Sequence, residues 1–200
     1  MHFQELIKRR RTHRSFSERP VETERISRIL YAGTRGPSAG FTQGTRILVL
    51  NSPGSRNQFW NCISTTEWRA KNGSGAELTN APIIVIVFEN RQAYLDRYRE
   101  PDKAYAQQSC EADFPAPFWT IDAAFSAMLI QLAAVDEGLG YLFFGLPNGV
   151  GDLFSAFSIP PHLAPIGALA IGYPASSVAS TSSQRRARIE YSEIVRFETF

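Results

Sequence analysis

Two hundred residues, 44% hydrophobic and 20% charged, suit one globular domain, since a chain of this length buries roughly 70% of its unfolded surface. A net charge of +2 is too small for bulk attraction to nucleic acid, and Cys62 and Cys110 form neither a CxxC pair nor a ligand spacing for a metal. The N-terminus has no signal-like apolar stretch. The longest apolar-rich run, Ala123 to Val135, is interrupted by Ser126 and Gln131 and too short to span a bilayer, so a cytoplasmic, non-membrane protein is expected.

Along the chain, Phe3, Leu6 and Ile7 fall at helical spacing and predict a short amphipathic helix within residues 2–11. Lys8, Arg9, Arg10, Arg11 and Arg14 crowd this end, while Arg185, Arg186 and Arg188 crowd the other, so the two clusters could meet on one anion. Thr12 to Arg19 reads as extended. Alternate side chains there share a face, which would point Arg10, Thr12 and Arg14 the same way. Two guanidiniums and a hydroxyl can grip a phosphate or an electron-rich heterocycle, although a solvated basic end explains the same charges.

Ile26, Ile29 and Leu30 mark a second helix, with Glu22 and Glu24 near its positive end and Gly33, Gly36 and Pro37 closing it. The loop that follows, through Gln43, has small residues that admit close backbone approach to a flat ligand, plus Ser38 and Gln43 as hydrogen-bonding groups. A plain helix-to-strand connection would look the same. Arg46–Leu50 reads as a buried strand, 51–58 as a turn, and the stretch carrying Trp60 and Trp68 as less regular and partly helical, with Gly73-Ser74-Gly75 looking mobile.

Ile83–Phe88, apolar throughout and rich in β-branched residues, predicts a central strand. Residues 91–118 have weak periodicity and suit an excursion over a site; Tyr98, Tyr105, Phe114, Phe118 and Trp119, with Trp60 and Trp68 less favoured, form a candidate substrate platform, against the alternative that such aromatics pack. Thr120-Ile121-Asp122 opens a long helix to about Glu137, stopped by Gly138 and apolar nearly all round, as in a helix buried in a core or an interface. Tyr141–Phe144 is a third strand ending at Gly145, where a backbone N–H could face a cofactor edge, and Ala164–Ile171 is a fourth. The tail from Arg188 to Phe200 is semi-alternating and reads as an extended arm. Helices and strands do not alternate regularly, which favours α+β, and neither a GxGxxG after a strand nor a P-loop is present.

In order as well as in residues, these segments resemble the nitroreductase family of flavoproteins. The family's opening Arg-Arg-Ser-x-Arg-x-Phe, followed by Pro-Val, is matched by Arg10-Arg11-Thr12-His13-Arg14-Ser15-Phe16 and Pro20-Val21. Its Pro-Ser loop is mirrored by Pro37-Ser38-Ala39-Gly40-Phe41-Thr42-Gln43-Gly44, and its long dimer helix by the segment ending Leu132 to Gly140. Ile159-Pro160-Pro161, Ile171-Gly172-Tyr173-Pro174 and Arg186-Ala187-Arg188 before Glu193-Ile194-Val195 match its close. The resemblance covers residues 5–196.

What the resemblance implies is a single α+β domain over residues 1–200, a mixed, mostly antiparallel sheet flanked by helices, in an intertwined homodimer joined through the helix near 121–137. It implies FMN as cofactor and NAD(P)H as transient reductant, with ping-pong hydride transfer to nitroaromatic, quinone or related acceptors. The flavin carries that chemistry, so no catalytic side chain is nominated. By position, Arg10, Arg186 and Arg188 would hold the FMN phosphate; Thr12 and Arg14, beside Arg11, would face the ribityl chain and the N1/O2 edge. Pro37, Ser38, Ala39 and Gln43 would belong to the loop that reaches the partner's flavin, and Phe144, Gly145 and Leu146 would pass its N5 edge. Phe41 stands where many members have Asn, and Gly44 where Pro is common, which brings Phe41 into the substrate pocket with the aromatics above. The hydrophobic residue at 41 is similar to the flavin-destructase branch. Ser183-Gln184-Arg185-Arg186-Ala187 is similar to cyclodipeptide oxidases, leaving an FMN oxidase or dehydrogenase of a peptide or heterocyclic product as the alternative.

Overall fold

The computed structural model describes residues 2–67, 77–108, 110–175 and 186–200. Trp68, Gly73-Ser74-Gly75 and Arg185 with its two preceding neighbours lie outside them. The described elements are α1 (Phe3–Arg9), α2 (Thr23–Gly33), a 3-10 turn at Ala39–Phe41, β1 (Arg46–Leu50), α3 (Pro53–Ile63), β2 (Ile83–Glu89) and α4 (Arg91–Tyr98). After two further 3-10 turns come α5 (Phe118–Asp136), β3 (Gly140–Phe144), α6 (Val150–Ala156), β4 (Ala164–Gly172) and α7 (Tyr191–Ile194).

The four strands lie in the order β1-β2-β4-β3, every neighbouring pair antiparallel. Ile83 faces Ile171 across β2 and β4, Val49 faces Val85 across β1 and β2, and Gly140 faces Gly172 across β3 and β4. One parallel contact is added where Thr12 bridges Tyr141.

The uninterrupted apolar run of β2 follows from burial on both faces. Ile84, Ile86 and Phe88 point into a core with Phe59, Trp60 and Leu153 from α3 and α6. Ile83, Val85 and Val87 point the other way, into a core with Ile29 of α2 and Ala123, Ala127 and Ile130 of α5. The molecule is thus helix, sheet, helix, with α5 as the long inner helix whose length and apolarity would otherwise pass for a membrane span. Gly33 is where α2 meets it: a Cβ there would fall 2.6 Å from Cγ1 of Ile130. Gly138 ends α5's turn at φ +76°, a left-handed value that favours glycine.

Several expectations need correction. The turn predicted at 51–58 is the start of α3, which runs to Ile63. Ser52 caps it, its Oγ accepting from Ser55 N at 3.1 Å, and Pro53 occupies the first turn, where its missing N–H costs nothing. Gly54, Ser55 and Asn57 are weak helix formers, and the cap with the buried Phe59–Trp60 pair overrides them. The excursion at 91–118 opens with α4, capped by Asn90 through a 3.2 Å bond from Ala93 N, and its Tyr94 is fully buried. In place of an extended arm, the tail holds the single-turn helix α7, with Ile189, Tyr191, Ile194, Phe197 and Phe200 all exposed. β1 is only half-buried apart from Leu50, because it is an edge strand.

Candidate functional site

The extended segment after α1 is laid against the β3 edge by backbone bonds. His13 N donates to Tyr141 O at 2.9 Å, Ser17 N to Tyr173 O at 2.8 Å, and Ala175 N to Ser15 O at 3.1 Å. The expected alternation holds only over residues 12–15, where His13 is half-buried and Ser15 buried while Thr12 and Arg14 are exposed. Arg10 is half-buried, and its Nη1 donates to the Tyr141 hydroxyl at 3.0 Å. Arg11 is exposed. Burial, aided by the Arg11 charge, holds the His13 imidazole below its ordinary pKa.

Arg14 borders a cavity of about 680 Å³ whose other walls include Trp60, Cys62, Ser64, Leu142, Phe144 and Gly145. Trp60 and Phe144 stack nearly parallel, at 10° and 5.7 Å between centroids. Leu146 packs on the same core. The Cys62 thiol is pushed up in pKa, chiefly by burial, so it stays protonated and unreactive near neutrality. A Cβ at Gly145 would meet nothing within 4 Å, which leaves that backbone open to a ligand.

The Pro37–Gln43 loop lies elsewhere, ahead of the opposite edge strand β1. It is tightly shaped: Gly40, Phe41 and Gln43 all have positive φ, at 62°, 55° and 53°. Ser38 Oγ accepts from Gln43 N at 3.0 Å, and Arg97 Nε donates to Gly40 O at 2.9 Å. Beneath it sits the buried Asp122 of α5, whose Oδ2 accepts from Ala39 N at 2.8 Å and from the Tyr94 hydroxyl at 2.7 Å. Burial first, and that bond second, raise the Tyr94 pKa. Pro37, Ser38 and Gln43 line a shallow hollow of about 180 Å³. The exposed Phe41 ring tops the loop.

Within one chain, then, Arg14, Phe144 and Gly145 line one cavity, Arg10 and Thr12 reach Tyr141 of the adjoining strand, and Pro37, Ser38 and Gln43 line a separate hollow. Arg186 and Arg188 are exposed, and no described hydrogen bond or ion pair links them to Arg10 or Arg14. Among the aromatics, Tyr98, Phe118 and Trp119 pack with Phe114, Tyr98 and Trp119 lying 5.0 and 5.5 Å from it between centroids. Trp119 is buried, so its ring is packing in this chain, whereas Tyr105 is exposed. Sequence reasoning missed the α3 side of the cavity, Trp60 through Thr65; the Ser52-Pro53 helix start was the available signal. It also missed Asp122 as an anchor, for which the sequence holds no signal beyond a carboxylate in an apolar helix.

A family model described as the nitroreductase family matches residues 7–173, which include both halves of this arrangement. The chain belongs to the nitroreductase family. It is 24% identical over 186 residues to an NADPH-dependent oxidoreductase of Staphylococcus aureus, covering 92% of this chain and 69% of that one. Among solved structures, an FMN-dependent nitroreductase from Clostridium difficile superposes with a TM-score of 0.69 at 20% identity, covering 98% of both chains. A nitroreductase from Exiguobacterium sibiricum, solved in complex with FMN, has a TM-score of 0.74 at 19% identity and covers 99% of this chain and 98% of that one. These structures share the fold of this chain.

Proposed function

We propose that this chain is an FMN-dependent oxidoreductase that takes reducing equivalents from NAD(P)H and delivers them to small acceptors such as quinones or nitroaromatics, as a homodimer. The observation that carries this reading is the Arg14 cavity: about 680 Å³, open at Gly145, walled by aromatics and fronted by a cation. That volume is in the range of cofactor sites, and its donor set suits a planar, electron-rich ring. The family relatives named above point the same way.

Bound FMN would supply the two-electron redox chemistry. This chain's residues would place it. Arg10, Arg186 and Arg188 would hold the phosphate, the last two reaching it from the tail. Thr12 would bond the ribityl chain, and Arg14, a cation with no carboxylate partner among the described residues, would favour negative charge on the N1/O2 edge. Phe144 and Leu146 would exclude water from one side, and Gly145 would admit the ring edge. The Ser38 and Gln43 loop, held on the far side of its own sheet, would complete the partner's cavity, with Phe41 and Tyr105 available to the acceptor. No acid–base side chain is needed at the reacting atoms.

The test is the absorbance of the purified protein, the mass of any released chromophore, and NAD(P)H oxidation with a quinone. A flavin spectrum with one FMN per chain and acceptor-dependent turnover is expected. A colourless protein that ignores added FMN would overturn the reading. Bleaching by an organic substrate under anaerobic conditions without NAD(P)H would instead identify an oxidase.

A further inference from the structure

A second cavity, of about 580 Å³, lies between α2, α3 and the start of β2. Trp60 is in its wall and also in that of the Arg14 cavity. Arg56 of α3 stands in this second cavity, half-buried. Its Nη1 donates to two backbone carbonyls, Asn51 O at 2.8 Å and Pro82 O at 3.1 Å, just beyond β1 and just before β2. Those bonds fix the plane of the guanidinium against the sheet. Nε and Nη2 have no protein partner among the described residues. Burial lowers the proton affinity of the group, with the charge of Glu18 opposing; an arginine stays cationic regardless. A half-buried cation held in place with two unused donors favours an anionic partner at that edge.

We propose that this cavity is a second binding site, which takes a small apolar molecule bearing one carboxylate. The guanidinium's free edge presents two parallel N–H donors, the arrangement that a carboxylate accepts in fork geometry. Glu18 lines the same cavity and leaves it near neutral overall, which disfavours a phosphate dianion and suits a single negative charge. Pro20, Val21, Pro53 and Pro82 give the remaining wall an apolar character that fits a hydrocarbon body. Asn57 and Asn80 stand by for a further polar group. The volume falls within the range of small-molecule sites. The assignment uses none of the residues given to the flavin, and it stands or falls separately from that reading.

Phenylacetate is the probe, titrated by calorimetry into the purified full chain. Saturable binding at one site per chain is expected, weakened roughly tenfold or more by Arg56→Gln, as loss of a charge-assisted pair implies. Asn57→Phe, a change at an exposed helix position that adds bulk to the cavity, abolishes binding while leaving the melting temperature unchanged, and it carries the test if Arg56→Gln fails to fold. Arg14→Gln retains binding. Loss with Arg14→Gln but not with Arg56→Gln would put the carboxylate in the other cavity and overturn the proposal. So would the absence of saturable binding, or inorganic phosphate binding more tightly than phenylacetate.

Discussion

Charge at the N-terminus divides by environment. Arg9 is exposed and reaches Glu5 of its own helix at 3.7 Å, whereas Arg10 turns inward to the Tyr141 hydroxyl and Arg14 fronts the cavity. Fluorescence titration with FMN should therefore show affinity falling about tenfold or more for Arg10→Ala and Arg14→Ala, and little change for Arg9→Ala. Equal affinities in all three would remove the assignment of these residues to the cofactor. His13 gives a pH handle. Unfolded, it takes a proton near the ordinary histidine value of about 6.5; folded, burial and Arg11 delay protonation to lower pH. The unfolded state then binds more protons in that window, so stability falls as pH drops from about 6.5 toward the folded pKa. A melting temperature that declines over that interval, and declines less in His13→Asn, is the expected result.

The element that organises the molecule is α5. It packs on α2 through Gly33, closes one face of the sheet through Ile130, and anchors the Pro37–Gln43 loop through Asp122. Gly33→Ala would drive a methyl into Ile130 and should cost about 1–3 kcal/mol in urea unfolding. Tyr94→Phe keeps the ring packing but removes one of the two described donors to the buried Asp122 carboxylate, a loss of about 1–3 kcal/mol by the same measurement. An unchanged midpoint for Tyr94→Phe would mean that Asp122 reorganises and does not fix the loop. The sequence displayed α5 plainly as an apolar stretch closed by Gly138. What it anchors was hidden, because a carboxylate in an apolar helix reads alike whether it is paired or a surface exception.

For the whole molecule, apolar side chains left outside the single chain argue for a second copy. Phe125 and Met128 of α5 are 45% and 46% exposed, and Phe3, Ile7, Tyr31 and the tail residues Ile189 and Ile194 are exposed as well. An apolar stretch on the inner helix that stays open to water is the kind of surface a second copy would cover. Sedimentation should give twice the chain mass, and Met128→Asp should shift the protein toward monomer and lower FMN content together. A monomeric wild type that still binds FMN fully would sink the two-subunit site.

The sequence by itself determined the four strands, the long helix and the family, because strand period, glycine stops and the Arg10–Phe16 and Pro37–Gly44 patterns are local and survive reading in one dimension. It also placed Thr12 and Arg14 on one side of an extended segment, since alternation is a property of the backbone alone, but not Arg10, which caps α1 and turns inward to Tyr141. It did not reveal that α3 starts at Pro53, where a capping serine and buried aromatics outweigh poor helix formers, nor the packing of Tyr98, Phe118 and Trp119 around Phe114. Those outcomes turn on which surfaces meet. Only the tertiary structure decided that the two halves of the candidate site lie at opposite edges of one sheet, because strand order, unlike strand identity, is set by long-range packing.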